Sequence, residues 1–340
     1  MHPERKKYLF VRLLEACNAN CFMCDFALSR DPFRLSQAKF EGLLEQARLW
    51  NVGFVRFTGG EPLMHRRIAD FVRCTAKSGM GSSIITNAAL LAKKARLLAE
   101  SGLDQVVVSI DGVGDGHDRI RGTSGLYRDC MAGLAAAREA GLMIRVNTVV
   151  GPHNYREMPT LQSVLTVAGV VQWELSALKL ERPICYENPD DLIKVCAPLY
   201  RPDNLGTLVP MGPPFYGDTE EERERFFRFG VPPRAQAPRC NLIGDVIYID
   251  PKSQRAFGCS LLPHRSAGGE HNGVALAYTG GDGAEQSSGA EICSMDPDRW
   301  SAHVAYFREN GPGMCHGCST TAVGYSNRVA RGEALPEWVF

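Results

Sequence analysis

The stretch YLFVRLLEACNANCFMC, residues 8–24, joins a predicted β-strand directly to three cysteines in a C-x3-C-x2-C spacing. Three thiolates on one short loop suit a cubane iron-sulfur cluster, in which each cysteine binds one iron and the fourth iron stays open to an outside ligand. Structural zinc is the alternative, but it requires four closed ligands, and no second cysteine or histidine pair lies nearby in the sequence. The spacing therefore predicts that Cys17, Cys21 and Cys24 bind a cluster with one vacant coordination position.

Outward from this loop, β-rich runs alternate with segments of helical period as far as about residue 179. The predicted strands are residues 8–16, 52–59, 81–87, 105–111, 142–150 and 170–178. The predicted helices are residues 35–50, 66–79, 90–102, 126–141 and 155–169, and four of them end at Gly79, Gly102, Gly141 and Gly169. Right-handed crossovers bring all the carboxyl ends of the strands to one face. The predicted fold class is α/β, a partial (β/α)6 TIM-type barrel with its chemistry at that face.

After Leu180 the prolines and glycines become too frequent for regular βα units to continue. The predicted organisation is a barrel in residues 1–185, a bridging segment in 186–239, a small cysteine-rich domain in 240–325 and a C-terminal tail in 326–340. The bridging segment is predicted to hold one short helix around TEEERERFFRF.

Composition excludes several classes of partner. With 38 basic and 38 acidic side chains the formal net charge is zero, so nucleic acid and anionic membranes are not expected partners, and a compact, uncharged partner is the default. The N-terminus has no signal-peptide cleavage pattern, and no apolar run approaches the roughly 20 residues of a membrane span. Twelve cysteines, partly clustered, are typical of metal binding in a reducing compartment. We therefore expect a soluble, cytoplasmic protein.

Glycine-rich and polar motifs follow the next predicted strands, at the face where the cysteines lie. They are TGGEP at residues 58–62, TNA at 86–88, SIDG at 109–112 and HDRIRG at 117–122. Glycines in a turn let the backbone approach a ligand closely. Along the fifth strand, alternation puts Arg145, Asn147 and Val149 on one side.

The cysteine spacing followed one βα unit later by TGGEP resembles the radical S-adenosylmethionine (SAM) superfamily. The resemblance implies a 4Fe-4S cluster whose open iron is chelated by the amino and carboxylate groups of SAM, and an electron from the cluster then yields a 5'-deoxyadenosyl radical. It also implies an external electron donor such as flavodoxin or ferredoxin. The residues that it assigns to the cofactor are Gly59, Gly60, Glu61, Pro62, Ser109, Arg121 and Asn147.

Some of these assignments have plainer alternatives. Ser109 could instead cap a strand end, and Arg121 could form a surface salt bridge. Ala88 departs from the family, which usually has glycine at that position.

Four further cysteines, Cys240, Cys259, Cys315 and Cys318, suit a second, fully ligated 4Fe-4S cluster. The first two flank a predicted β-hairpin, and the arrangement resembles the twitch domain, a shortened SPASM domain, although Gln254 stands where those domains usually have glycine. Cys293 is an alternative ligand. A zinc ribbon is the alternative site, because two separated cysteine pairs also suit zinc.

The substrate is the least determined feature. A first strand at Tyr8 leaves no room for a leader-capturing domain, so we expect a small molecule. The stretch CNANCFMCDFALSRDPFR is similar to the cytosylglucuronic acid decarboxylases of nucleoside antibiotic biosynthesis, which implies hydrogen abstraction at C4' of the uronic sugar and loss of carbon dioxide.

Such a reaction needs a cation for the uronate. The predicted catalytic residues are Arg145, Glu174 and Lys179, with Arg182 as a further candidate cation, and a solvated rim position is the alternative for each. Other candidate functions are a dehydrogenase of an aminocyclitol or similar alcohol, a peptide-modifying maturase, and a non-catalytic iron-sulfur or zinc protein.

Overall fold

The computed structural model describes residues 7–178, 189–200, 209–211, 244–258, 274–279 and 292–310. The strands are β1 (Lys7–Arg12), β2 (Val52–Thr58), β3 (Gly81–Thr86), β4 (Gln105–Ser109), β5 (Met143–Val150), β6 (Gln172–Ala177), β7 (Val209–Met211), β8 (Val246–Asp250), β9 (Arg255–Phe257), β10 (Val274–Thr279) and β11 (Ile292–Met295). The helices are α1 (Gln37–Leu49), α2 (Ile68–Lys77), α3 (Leu91–Glu100), α4 (Asp115–Arg121), α5 (Leu126–Glu139), α6 (Met158–Val167), α7 (Pro189–Cys196) and α8 (Pro297–Asn310).

Strands β1 to β6 lie side by side in chain order and are all parallel. Each of the six predicted strands is therefore confirmed, as is the α/β class, and the arrangement is consistent with a partial barrel. Parallel neighbours in chain order require a helical crossover each time, so the carboxyl ends of the strands share one edge.

The two faces of this sheet differ in chemistry because successive residues of a strand point to opposite sides. One face carries fully buried apolar residues that pack with the helices, among them Val11, Phe57, Ile84, Val108 and Val146. The other, which we call the inner face, is mainly polar. On β2 to β6 its polar members are Arg56, Thr58, Ser83, Gln105, Ser109, Arg145, Asn147, Gln172, Glu174 and Ser176.

Five of the helices fall where periodicity predicts them: α1, α2, α3, α5 and α6. The four predicted terminal glycines all have positive φ, between 74° and 95°. Three of the described helices, α4, α7 and α8, are not among the predicted ones.

The sheet continues past the predicted barrel at both edges. β7, within the predicted bridging segment, pairs in parallel with β6, and β8 pairs in parallel with the other edge of the sheet at β1. β8 and β9 form the predicted hairpin between Cys240 and Cys259. Several predictions lie outside the described residues: the four C-terminal cysteine ligands, Lys179, Arg182 and the helix around TEEERERFFRF. Among the described helices, none is long and apolar enough to cross a bilayer.

Candidate active site

The three predicted cluster cysteines lie on a loop that leaves β1 and returns to it. Antiparallel pairing of Leu14 with Arg34 closes the base of the loop, and Leu35 N donates to Leu13 O at 2.8 Å. Within the loop, Cys17 and Cys24 are half-buried, Cys21 is buried, and all three thiols are free. Three unoxidised thiols on a short, closed loop are the donor set that the predicted cluster requires.

Two cysteine sulfurs accept hydrogen bonds from neighbouring elements. Ala19 N lies 3.4 Å and Asn87 Nδ2 3.7 Å from Cys17 Sγ, and Arg121 Nη1 lies 3.7 Å from Cys21 Sγ. Burial raises the pKa of the Cys17 and Cys21 thiols, and the positive charge of Arg121 opposes that rise at Cys21. N–H donors of this kind favour sulfur that carries negative charge, as it does when it binds iron.

In the described part of the chain, no three cysteine, histidine or acidic side chains are placed to hold a single ion between them. In a cubane each cysteine binds a different iron, so the thiols need not converge on one point. The donor set therefore fits a 4Fe-4S cluster.

The glycine turn Gly59–Gly60 packs directly on the cysteine loop. Gly60 N and Glu61 N donate to Leu14 O and Ala16 O, each at 2.9 Å. A Cβ on Gly60 would lie 2.2 Å from Ala16 O, and one on Gly59, whose φ is 135°, would lie 2.5 Å from Leu14 O. The turn requires glycine because its backbone lies against the backbone of the cysteine loop.

Glu61 joins this turn to the end of β3. Its side chain is 1% exposed, and its carboxylate accepts from Thr86 Oγ1 and Asn87 N at 2.7 Å and from Leu63 N at 2.9 Å. Burial raises the pKa of Glu61, and these three hydrogen bonds oppose the rise. Pro62 follows at the start of a short 3-10 helix. Glu61 thus bonds to the protein in this structure, although the resemblance assigned it to the cofactor.

Asn87 is a site residue that sequence reasoning missed. Besides its contact with Cys17, its Nδ2 donates to Asn18 Oδ1 at 2.8 Å. Its carbonyl oxygen lies 3.2 Å from the Cys130 thiol of α5. Its position within the TNA motif, directly after a strand, was the signal that could have identified it.

Arg121 lies between the cysteine loop and the end of β4. Its Nε forms a 2.7 Å ion pair with Asp111 Oδ2, and its carbonyl oxygen accepts from Asn20 N at 3.0 Å. Burial alone would lower the pKa of Arg121, but Asp111 and Cys21 raise it above its usual value. Arg121 is thus neither a surface salt bridge nor remote from the cluster site. Asp111 is fully buried and was not among the predicted site residues.

The predicted residues of β4 to β6 meet in register on the inner face. Ser109 pairs with Asn147, and Asn147 pairs with Glu174. Asn147 Oδ1 lies 3.3 Å from Ser176 Oγ. The prediction that Arg145, Asn147 and Val149 share one side is confirmed. Trp173 points to the other face, where it is fully buried and donates to Thr148 Oγ1.

Residues 11–164 match the family model described as the Radical SAM superfamily. Among curated relatives, the chain is 37% identical over 159 residues to GTP 3',8-cyclase of Mycobacterium marinum, which covers 44% of each chain. It is 26% identical over 166 residues to Fe-coproporphyrin III synthase of Methanosarcina barkeri, 48% of this chain and 41% of the relative. A pre-heme d1 synthase of Dinoroseobacter shibae is 29% identical over 183 residues, 51% of this chain and 44% of the relative. The chain thus spans less than half the length of these relatives.

Solved structures show the same fold at low sequence identity. Streptococcus suis SuiB bound to S-adenosylmethionine has a TM-score of 0.60 and 15% identity, over 96% of this chain and 75% of SuiB. Native anSMEcpe with bound AdoMet has a TM-score of 0.55 and 14% identity, over 74% of each chain.

Proposed function

We propose that this chain, whose residues 11–164 form a domain of the radical SAM superfamily, is an enzyme that cleaves SAM reductively to act on a small sugar or nucleoside. One observation carries the proposal: the loop after β1 carries three free thiols, two of which receive N–H donors from Asn87 and Arg121, and the backbone of this loop lies against the glycine turn. When bound, the 4Fe-4S cluster and SAM supply a 5'-deoxyadenosyl radical.

In this proposal, SAM is bound by residues that surround the cysteine loop and the glycine turn. The backbone of Gly59, Gly60 and Pro62 contacts the amino group of SAM, and Glu61 holds that turn through its hydrogen bonds to β3. Ser109, the last residue of β4, and Asn147, which pairs with it on β5, contact the ribose or carboxylate of SAM in this proposal. Arg121, whose Nη1 lies 3.7 Å from Cys21 Sγ of the cysteine loop, binds the SAM carboxylate in this proposal.

The C-terminal region carries a second 4Fe-4S cluster on Cys240, Cys259, Cys315 and Cys318 in this proposal. The hairpin β8–β9 supports it, because the hairpin lies between the first two of these cysteines and beside β1. An external donor such as flavodoxin or ferredoxin supplies electrons in the reducing cytoplasm.

The most specific form of the proposal is decarboxylation of cytosylglucuronic acid. In that reaction a 5'-deoxyadenosyl radical would take the hydrogen at C4', which would give 5'-deoxyadenosine, and carbon dioxide would leave from the neighbouring carbon. One electron from the donor and two protons then complete a product in which hydrogen replaces the carboxylate. Arg145, Glu174 and Lys179 are the proposed substrate residues.

An anaerobic turnover assay tests the proposal. Reconstituted protein is incubated with dithionite, SAM and a panel of uronosyl nucleosides and aminocyclitols, and the products are identified by mass spectrometry. We expect 5'-deoxyadenosine together with a nucleoside that has lost carbon dioxide. Loss of two hydrogens from an alcohol would instead identify a dehydrogenase, and no 5'-deoxyadenosine with intact clusters would contradict the proposal altogether.

Two variants separate the roles of the clusters. Cys21→Ala is expected to abolish SAM cleavage. Cys315→Ala is expected to spare the cleavage but impair turnover, because its cluster does not bind SAM. Equal loss in both variants would indicate that the C-terminal metal only holds the fold.

A further inference from the structure

Two buried arginines on the inner face donate to the same side-chain oxygen. Arg56 of β2 is 8% exposed and Arg145 of β5 is 2% exposed. Arg56 Nη2 lies 3.4 Å and Arg145 Nη1 3.3 Å from Gln105 Oε1 of β4. Guanidinium groups repel each other and are costly to desolvate, so a pair that converges on one neutral amide is an unusual arrangement.

Arg145 is incompletely satisfied by the protein. Among the residues that the structure describes, its buried Nε has no hydrogen-bond partner, and the carboxylate of Glu174 lies 3.6 Å from Nη2, which is a long ion pair. Arg56 Nε, by contrast, donates to Ser83 Oγ at 2.9 Å. A buried N–H of a charged group without an acceptor is destabilising unless something else supplies that acceptor. An oxoanion accepts several N–H donors at once and would fill this role.

The arginines lie at the right depth for a substrate group. Arg145 precedes Asn147 by two residues on the same face of β5, so it lies roughly 7 Å further from the carboxyl edge of the sheet. Ser109 and Asn147 are the proposed cofactor contacts at that edge. A substrate anchored at the arginines would therefore project its carbon skeleton towards the cofactor.

We propose that Arg56 and Arg145, bridged by Gln105, form an oxoanion-binding site on the inner face that anchors a carboxylate or phosphate of the substrate. The inference rests on the proposed function, since it names the class of substrate for that site. The formal net charge of zero does not oppose it, because the recognition is local.

Equilibrium titration in the absence of reductant tests the site separately from catalysis. The full chain, prepared anaerobically, is titrated with D-glucuronate, D-glucose 6-phosphate and D-glucose. We expect at least one anion to bind roughly tenfold or more tightly than glucose, as expected for charge-assisted hydrogen bonds. The two anions distinguish a carboxylate site from a phosphate site.

Substitutions identify the groups responsible. Arg56→Gln and Arg145→Gln should abolish the preference for the anion, whereas Arg96→Gln, on the exposed face of α3, should retain it. Glu174→Gln removes the competing carboxylate and keeps both arginines, so it should tighten anion binding. If the arginine variants fail to fold, Glu174→Gln still tests the site, because a purely structural ion pair between Arg145 and Glu174 predicts no tighter binding of the anion.

The inference is overturned if neither anion binds better than glucose, or if Glu174→Gln leaves anion binding unchanged. SAM cleavage is measured in parallel on the same preparation. Anion preference without SAM cleavage would leave the site standing and defeat the proposed function. SAM cleavage without anion preference would support the proposed function and overturn the oxoanion-binding site.

Discussion

Among the described residues, Asn51, Ala88 and Gln254 adopt a positive-φ backbone conformation that ordinarily belongs to glycine, and asparagine tolerates it best. Ala88 after β3 has φ of 63°, and Gln254 in the β8–β9 turn has φ of 54°. At position 88 the radical SAM superfamily usually has glycine, and at position 254 the twitch and SPASM domains that the C-terminal sequence resembles usually have glycine. The left-handed region costs a residue with a Cβ about 1–2 kcal/mol. The departures therefore keep the fold but leave local strain.

Gln254→Gly is expected to raise the free energy of unfolding by about 1 kcal/mol, because it removes that strain at an exposed turn. Ala88→Gly is the matched comparison: its methyl group is fully buried, so loss of about 0.8 kcal/mol of burial offsets the gain. Urea unfolding of both variants measures the difference. A destabilised Gln254→Gly protein would contradict the strain argument.

His117 of α4 is a buried histidine next to the site. Its Nδ1 accepts from Asp111 N at 3.1 Å, and it is 0% exposed. Burial and, to a lesser extent, the charge of Arg121 lower the pKa of His117 to about 4, while the charges of Asp111 and Asp118 oppose this. The folded protein therefore holds the neutral imidazole.

This shift makes stability depend on pH. Because the pKa of His117 is lower in the folded state, neutral His117 stabilises that state above about pH 6.5. This contribution is lost as the pH falls towards 4. Between pH 7 and pH 5 the loss from His117 is expected to be about 2 kcal/mol. His117→Gln should flatten the pH profile of urea unfolding by that amount. Identical profiles for the two proteins would show that His117 is not the group responsible.

At the scale of elements, the C-terminal hairpin contacts both flanks of the cysteine loop. Arg12, at the end of β1, pairs with Glu15 and lies 3.3 Å from Asp250 of β8. Lys252, in the β8–β9 turn, pairs with Asp31 at 2.6 Å. Glu15 and Asp31 lie on either side of the three cysteines. The hairpin thus holds the cysteine loop in place.

Arg12→Gln is expected to cost roughly 3 kcal/mol of stability, because buried Asp250 would lose its cation and buried Glu15 would keep, of the described cations, only Lys252, whose Nζ lies 3.8 Å from Glu15 Oε1. It should also lower the iron bound per chain after anaerobic reconstitution, since the loop is less well held. Lys252→Gln is the control, with a much smaller effect, because this side chain is 44% exposed. Equal effects of the two variants on iron content would contradict the role of the Arg12 ion pairs in holding the cysteine loop.

Elements with strong apolar periodicity were predictable, and those without it were not. Helix α5 shows a buried stripe in its sequence, with Cys130, Leu134 and Ala137 on one face. Helix α4, DGHDRIR, has Ile120 as its sole large aliphatic residue, so no periodicity reveals it. β7 is three residues long and depends on pairing with β6.

The same limit applies to the site. The cysteines and glycines of the site could be predicted from their spacing in the sequence. Asn87 and Asp111 could not, because they contribute through contacts with residues elsewhere in the sequence, Cys17 and Arg121. Arg56 likewise donates a hydrogen bond to Gln105, which is 49 residues away in the sequence. Such pairings become visible only when the strands lie side by side.

At the scale of the whole molecule, the N-terminal and C-terminal parts of the chain share one sheet. Among the described residues, β8 completes the hydrogen bonding of β1, from which the cysteine loop departs. An uncovered β1 would leave a row of unpaired backbone groups beside the cluster site. Strand β8 is therefore part of the structure that supports the cysteine loop.

The central claim is that Cys17, Cys21 and Cys24 hold a cubane whose fourth iron accepts SAM. Electron paramagnetic resonance of the dithionite-reduced protein tests it most directly, in the Cys315→Ala/Cys318→Ala variant to remove the signal of a second cluster. We predict a cubane signal that changes shape when SAM is added and is lost when Cys21 is also alanine. A signal unchanged by SAM, or zinc in place of iron on these cysteines, would contradict the account.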